Sequence, residues 1–292
     1  MAEMTPKSLV WFAFTAFSLQ IGHAQTPDFF KSYDVAPGAK IYINTFSGSF
    51  KVRGYKGSHI EIRAAKKGTY SKSIEITEDK NVPGLIALWV RFPQFDPGRF
   101  DGSKFPPGRF PTPGGFPPGR FPTPGGFPPG GFNTGPPDTG DNSVDFEILV
   151  PKSINSDNYL DLRCTRGNIE ISNLSWHIRA SSNLGNVVVK DARGSIDASS
   201  AHGVIRVELV SHKDPGILKF STDNGEVIVK APGNLDAQVY MASNTGQIKT
   251  DFKLEEKGML IGQKPTATGT LGSGRQKLAI WSNRGSISLL KK

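Results

Sequence analysis

A nine-residue beat restricts the fold of this chain more than any other feature. The triplets "LDL", "IEI", "IRA", "VVV", "IDA" and "IRV" begin at residues 160, 169, 178, 187, 196 and 205. Side chains on a strand alternate between faces, so the first and third residues of each triplet share one side. All twelve are apolar, whereas five of the six middle residues (Asp161, Glu170, Arg179, Val188, Asp197 and Arg206) are charged. Alternation with a period of two reads as half-buried strand and excludes an amphipathic helix.

The beat returns after short insertions, with Leu218 and Phe220 before Val227 and Val229, Val239 and Met241 before Ile248 and Thr250, and Leu278 and Ile280 before Ile287 and Leu289. It also occurs early, at Ile41, Ile43, Phe50 and Val52. Seven strand pairs result, and Thr250 is the one inward position that is not apolar. Each pair is joined by a turn containing a glycine: Gly48, Gly167, Gly185, Gly203, Gly225, Gly246 and Gly285. Three residues before each glycine stands a small residue, which is Cys164 in one turn and Ser or Thr in the other six. Glycine supplies a positive φ at little steric cost, and a small hydroxyl can bond backbone groups that a turn leaves unpaired.

An 18-residue unit of two strands and two turns predicts an all-β solenoid, a single-stranded β-helix or β-roll of nine-residue strand-turn units. The alternative that the same alternation permits is an antiparallel β-sandwich of hairpins. Most of the turns lack the Asn-Gly or Asp-Gly loops of tight hairpins, which favours the β-helix.

One segment breaks the beat. Residues 93–140 hold 14 of the 22 prolines and 12 of the 33 glycines, and contain two copies of GRFPTPGGFPP. Proline cannot donate to a strand ladder, so a disordered or polyproline-like loop insertion is expected. "LIALWVRF" before it and "SVDFEILVP" after it both read as strands. Residues 25–292 are therefore expected to form one β-repeat domain interrupted by this loop. Loop closure entropy grows only slowly with length, so the fold tolerates it.

The first 24 residues read as an export signal: Lys7, the apolar run "LVWFAFTAFSLQIG", then small residues suited to cleavage after Ala24. That run is too short for a membrane span. An exported chain whose only cysteine is Cys164 has no internal disulfide. The formal charge of +9 suits an anionic partner, with an acidic glycan among the candidates. The cations are scattered and no nucleic-acid-binding signature is present, so nucleic acid is not expected as a partner.

Groups able to do chemistry are sparse. His59 and His177 fall at outward strand positions, His202 and His212 in turns, and His23 in the leader. None has metal-ligand spacing, so no metal or cofactor is expected. Cys164 takes a small-residue turn position and has no partner base, so it reads as structural. Asp161, Arg179 and Asp197 would stack on one outer face, either as the carboxylates of a glycan-cleaving site or as a ladder of alternating charge that favours register. The ladder is the simpler reading, and no catalytic residue is assigned. Trp176 and Trp281 lie at or beside turns, where a ring can cap the core edge or stack on a sugar.

"VAPGAKIYINTFSGSFKVRGYKGSHIEIRA", then "VDFEILVPKS", then the "SNxGx" turns ending in "LAIWSNRGSISLL" resemble the bacterial putative-adhesin family built from β-strand repeats. The resemblance spans Tyr33 to Phe92 and Ser143 to Leu290. It implies an exported β-helix-like domain with no established catalytic residues. The functional expectation is a non-catalytic envelope protein, periplasmic, surface-bound or extracellular, that meets an envelope or extracellular ligand. The alternative is a carbohydrate-active lyase or hydrolase of the β-helix kind.

Overall fold

Side chains that alternate between core and solvent need two sheets facing each other, and the chain builds two. In the computed structural model the described residues are 27–35, 37–79, 84–92, 141–152, 157–210, 215–257 and 264–292. The export signal (1–24), its His23, His212 and the Pro/Gly/Phe-rich insertion (93–140) lie outside them.

The strands, in chain order, are β1 (Phe29–Asp34), β2 (Lys40–Ser47), β3 (Phe50–Tyr55), β4 (His59–Lys67), β5 (Glu75–Asp79), β6 (Leu85–Arg91) and β7 (Ser143–Pro151). They continue as β8 (Tyr159–Arg166), β9 (Ile169–Ser172), β10 (His177–Leu184), β11 (Val187–Ala192), β12 (Ile196–His202), β13 (Ile205–Leu209) and β14 (Ile217–Asn224). The last are β15 (Val227–Ala231), β16 (Ala237–Ser243), β17 (Ile248–Thr250), β18 (Glu255–Lys257), β19 (Thr266–Leu271), β20 (Gln276–Arg284) and β21 (Ile287–Lys291). The first sheet runs β1-β4-β7-β3-β9-β11-β13-β15-β21-β17, and the second runs β18-β19-β16-β20-β14-β12-β10-β8-β2-β6-β5.

Pairing along the middle of both sheets is parallel, which rules out the antiparallel sandwich. Leu160, Ile178 and Ile196 lie side by side in the second sheet, and Ile169, Val187 and Ile205 in the first. One coil is thus a second-sheet strand, a glycine turn and a first-sheet strand. Antiparallel pairs occur at the two ends, where β1, β4 and β5 close one end and β18 and β19 the other. Every side chain of β18 is exposed, and it carries Glu255, Glu256 and Lys257; a short charged edge discourages pairing with another sheet.

Every inward position of the seven pairs is buried except Ile248 and Thr250, which are half-buried. Their strand, β17, is the outermost of the first sheet and has a neighbour on one side only. Phe50 stacks on Phe146 with centroids 5.2 Å apart, which joins adjacent coils through the core.

The stack does not follow chain order. The C-terminal coil, β20–β21, sits between β14–β15 and β16–β17. The first coil, β2–β3, sits between β6–β7 and β8–β9. β6 and β7 are therefore the two strands of the coil outside β2–β3. Strand β7 is tied to the β2–β3 turn: Ser49 N–H donates to Asp145 Oδ1 at 2.8 Å, and Phe146 N–H donates to Ser49 O at 2.8 Å.

The turns form a column whose glycines have a different cause from the expected one. Among the seven, only Gly48 and Gly167 have positive φ, at 128° and 149°. The others are glycine because a Cβ would run into the carbonyl of the glycine in the next coil: at Gly225 it would lie 2.7 Å from the carbonyl carbon of Gly203 and nearer still to the oxygen. The small residues are bonded across coils too. Ser182, Ser200, Thr222 and Ser282 donate their hydroxyls to Gly167, Gly185, Gly203 and Gly225 carbonyls at 2.8, 2.9, 3.1 and 3.1 Å. Asn168 and Asn186 accept the backbone N–H of Asn186 and Val204, each at 2.8 Å.

Candidate functional site

With the inner faces filled by the core, chemistry is left to the two outer faces, and these differ. The first sheet's outer face carries long exposed charges, such as Lys51, Glu170, Lys190, Arg206 and Lys230. The second sheet's outer face holds mostly half-buried polar and aromatic groups in straight cross-strand rows, with Lys219, Gln238 and Lys277 exposed.

One row places Tyr42, Asp161, Arg179, Asp197 and Lys219 opposite one another on successive strands. The sequence-predicted trio of Asp161, Arg179 and Asp197 is therefore brought together, although Asp161 is only 3% exposed rather than facing solvent. Arg163 explains this burial. Its guanidinium lies over Asp161 as a fork, with Nε donating to Oδ1 at 3.0 Å and Nη2 to Oδ2 at 2.8 Å. Such bidentate pairs fix geometry as well as charge. Arg163 also stands 5.3 Å from the Tyr42 ring centroid, and that ring tilts against Trp89 at 5.1 Å. The bond to Asp161 raises the Arg163 pKa although burial opposes it. Burial, reinforced by Asp161, pushes the Tyr159 hydroxyl up to about 12. The phenol thus stays protonated beside the carboxylates.

The neighbouring row, two residues along each strand, consists of Arg163, Ser181, Ser199, Ser221 and Trp281, each directly opposite the next. Ser199 donates its hydroxyl to Ser181 Oγ at 3.1 Å. Trp281 and the three serines are half-buried. Sequence reasoning noticed Trp281 but missed the serines, which fall on triplet-flanking positions where a serine is unremarkable until the register aligns them.

Trp176 is no ligand platform: it is 1% exposed and its Nε1 donates to Pro151 O at 3.2 Å. Cys164 is buried, with Sγ 3.2 Å from Gly167 O and 3.5 Å from Ser182 Oγ, and burial pushes its thiol up to about 11. It fills the position of the hydroxyls in the other turns. His59 and His202 are exposed and His177 is half-buried on separate strands. Among the described residues no three His, Cys, Asp or Glu side chains are placed to hold a metal ion, and no helix is long and apolar enough to cross a membrane.

The in-register parallel coils with a conjoined turn column are the geometry of a β-solenoid-like repeat domain. Residues 152–290 match the family model described as Toastrack DUF4097. The likeness to a bacterial putative-adhesin family of β-strand repeats, drawn from the turn and strand motifs, is borne out. The model's span begins after β7, and the structure adds β2–β3 and β6–β7 to the same stack. Among solved structures the chain is similar to a putative cell adhesion protein from Clostridium sporogenes ATCC 15579, at 12% identity and a TM-score of 0.46 over 91% of this chain and 100% of that one. It is also similar to a putative adhesin from Bacteroides fragilis NCTC 9343, at 14% identity and a TM-score of 0.36 over 89% of this chain and 96% of that one. No curated protein matches the chain.

Proposed function

We propose that this chain is an exported, non-catalytic surface-interaction module of the bacterial cell envelope, binding an envelope or extracellular ligand in the manner of an adhesin. The observation that carries the reading is the second sheet's outer face, where in-register strands hold polar and aromatic groups in fixed rows. Such a surface suits recognition, because the sheet orders its side chains before any ligand arrives. The leader-like layout of residues 1–24 supports the envelope assignment, and the Toastrack match over 152–290 supports the reading as an interaction module. The non-catalytic part is supported by Asp161. A glycan-cleaving pair needs one carboxyl free to donate a proton and another free to activate water or attack. Both oxygens of Asp161 are taken by Arg163.

The test is fractionation of cells producing the full chain, with N-terminal sequencing of the envelope-associated protein. The mature chain is expected to begin at Gln25 and to be recovered in the envelope or medium. An intact Met1 in the cytoplasmic fraction would refute the assignment. Depolymerisation of any polysaccharide by the wild type, lost in Asp197→Asn, would replace the binding reading with an enzymatic one.

A further inference from the structure

The row of Arg163, Ser181, Ser199, Ser221 and Trp281 lies on one line across five neighbouring strands. Serine is shorter than the residue two positions before it at all three sites, and than the residue two positions after it at Ser181 and Ser221, whereas Ala201 follows Ser199. Arg179, Asp197 and Lys219 stand on one side, and Asn183, Ala201 and Asp223 on the other, with Asn283 beyond Trp281. The three serines thus form the floor of a shallow trough with a continuous polar wall of Arg179, Asp197 and Lys219 on one side and a wall that dips at Ala201 on the other, between a fork-held guanidinium at one end and an indole at the other.

We propose that this trough is the binding site for an unbranched, uncharged glycan chain laid across the strands. The proposal rests on the reading of the chain as a binding module and names its ligand class. Three features select that class. Hydroxyls, carboxamides, carboxylates and guanidinium groups match the mixed donors and acceptors of sugar hydroxyls. The half-buried Trp281 ring offers an apolar face with a polar edge, suited to the C–H face of a pyranose. The charges compensate each other. Asp161 is neutralised by Arg163, Arg179 lies between Asp161 and Asp197, and Asp197 adjoins Lys219. A polyanion would therefore find little net potential here, despite the chain's formal charge of +9. With strands about 4.8 Å apart, the four steps from Arg163 to Trp281 span about 19 Å, room for about four sugar units.

The experiment is calorimetric titration of the purified full chain with neutral unbranched oligosaccharides, the gluco-, manno-, xylo- and N-acetylglucosamine series, each from dimer to hexamer. Polygalacturonate serves as the anionic comparator. At least one neutral series should bind, with affinity rising up to about four units and insensitive to salt. Trp281→Ala should weaken binding by about tenfold or more, as loss of a central aromatic anchor does. Ser199→Arg, which fills the floor with a long side chain, should abolish binding while the melting midpoint holds. Absence of binding by every neutral series overturns the proposal. So does binding unaltered by both substitutions, or salt-sensitive binding of polygalacturonate alone. Export is read separately by fractionation, so an envelope-located chain that binds no neutral glycan sinks this proposal and leaves the envelope assignment standing.

Discussion

Replacing Gly203 by alanine tests the turn column directly. A Cβ at this position would lie 2.6 Å from the carbonyl carbon of Gly185, closer still to its oxygen, and 2.9 Å from Ser200 Oγ. Backbone carbonyls held in parallel register cannot step aside alone, so neighbouring coils must part locally. Overpacking of this sort costs about 1–3 kcal/mol. The displacement also breaks the Ser200 hydroxyl bond to Gly185 O (2.9 Å) and the Gly203 N–H bond to Asn224 O (3.1 Å). Each contributes about 1 kcal/mol net. The total expected loss is about 3–5 kcal/mol. Gly233→Ala is the control: its Cβ would meet nothing within 4 Å and its φ is not positive. That substitution should be neutral or stabilise by up to about 1 kcal/mol, through reduced freedom of the unfolded chain. Urea unfolding followed by circular dichroism compares the midpoints, and amide exchange should place the Gly203→Ala loss in β12 to β15. A Gly203→Ala midpoint equal to that of Gly233→Ala would refute the stacking argument.

Two further outcomes follow from burial and coil order. The Cys164 thiol is pushed up to about 11 by burial, so folded protein at neutral pH should resist thiol reagents that label it after unfolding. The unfolded thiol ionises near its ordinary value of about 9, so the unfolded state sheds its proton first and stability should fall as pH rises from there towards about 11. Cys164→Ser should remove that part of the decline and, at neutral pH, leave stability within about 1 kcal/mol; rapid labelling of the folded chain would contradict this. Ile280 and Ile248 are both inward by sequence, but Ile280 is fully buried in an interior coil and Ile248 half-buried at the edge. Ile280→Asp should destabilise by more than about 4 kcal/mol and Ile248→Asp by less than half of that, measured by thermal melting. Equal losses would mean that the C-terminal coil is not inside the stack.

Much of this was legible because it is local. Whether Ile169 faces in and Glu170 out depends on alternation along one strand, and the 18-residue step from Ile178 to Ile196 is the length of one turn of the coil. Turn composition was legible for the same reason, down to Cys164 standing in for a hydroxyl. The cause of the glycines was not. Gly185, Gly203, Gly225, Gly246 and Gly285 are required by a carbonyl from another coil, which no local pattern shows. Neighbour choice was equally hidden. Apolar rows such as Leu218–Phe220 and Leu278–Ile280 are interchangeable as partners, so the beat alone is compatible with any stacking order. The tertiary structure decided that β20 pairs with β14 and that β16 lies outside it. It also decided that Asp161 is covered, because Arg163 on the same strand folds back over it. The row from Arg163 to Trp281 exists only in that order: its residues come from five strands, and Trp281 meets Ser221 across 60 residues of sequence because the last coil fills the gap beside β14. Periodicity is a property of neighbours along the chain, whereas a binding face is a property of neighbours across it.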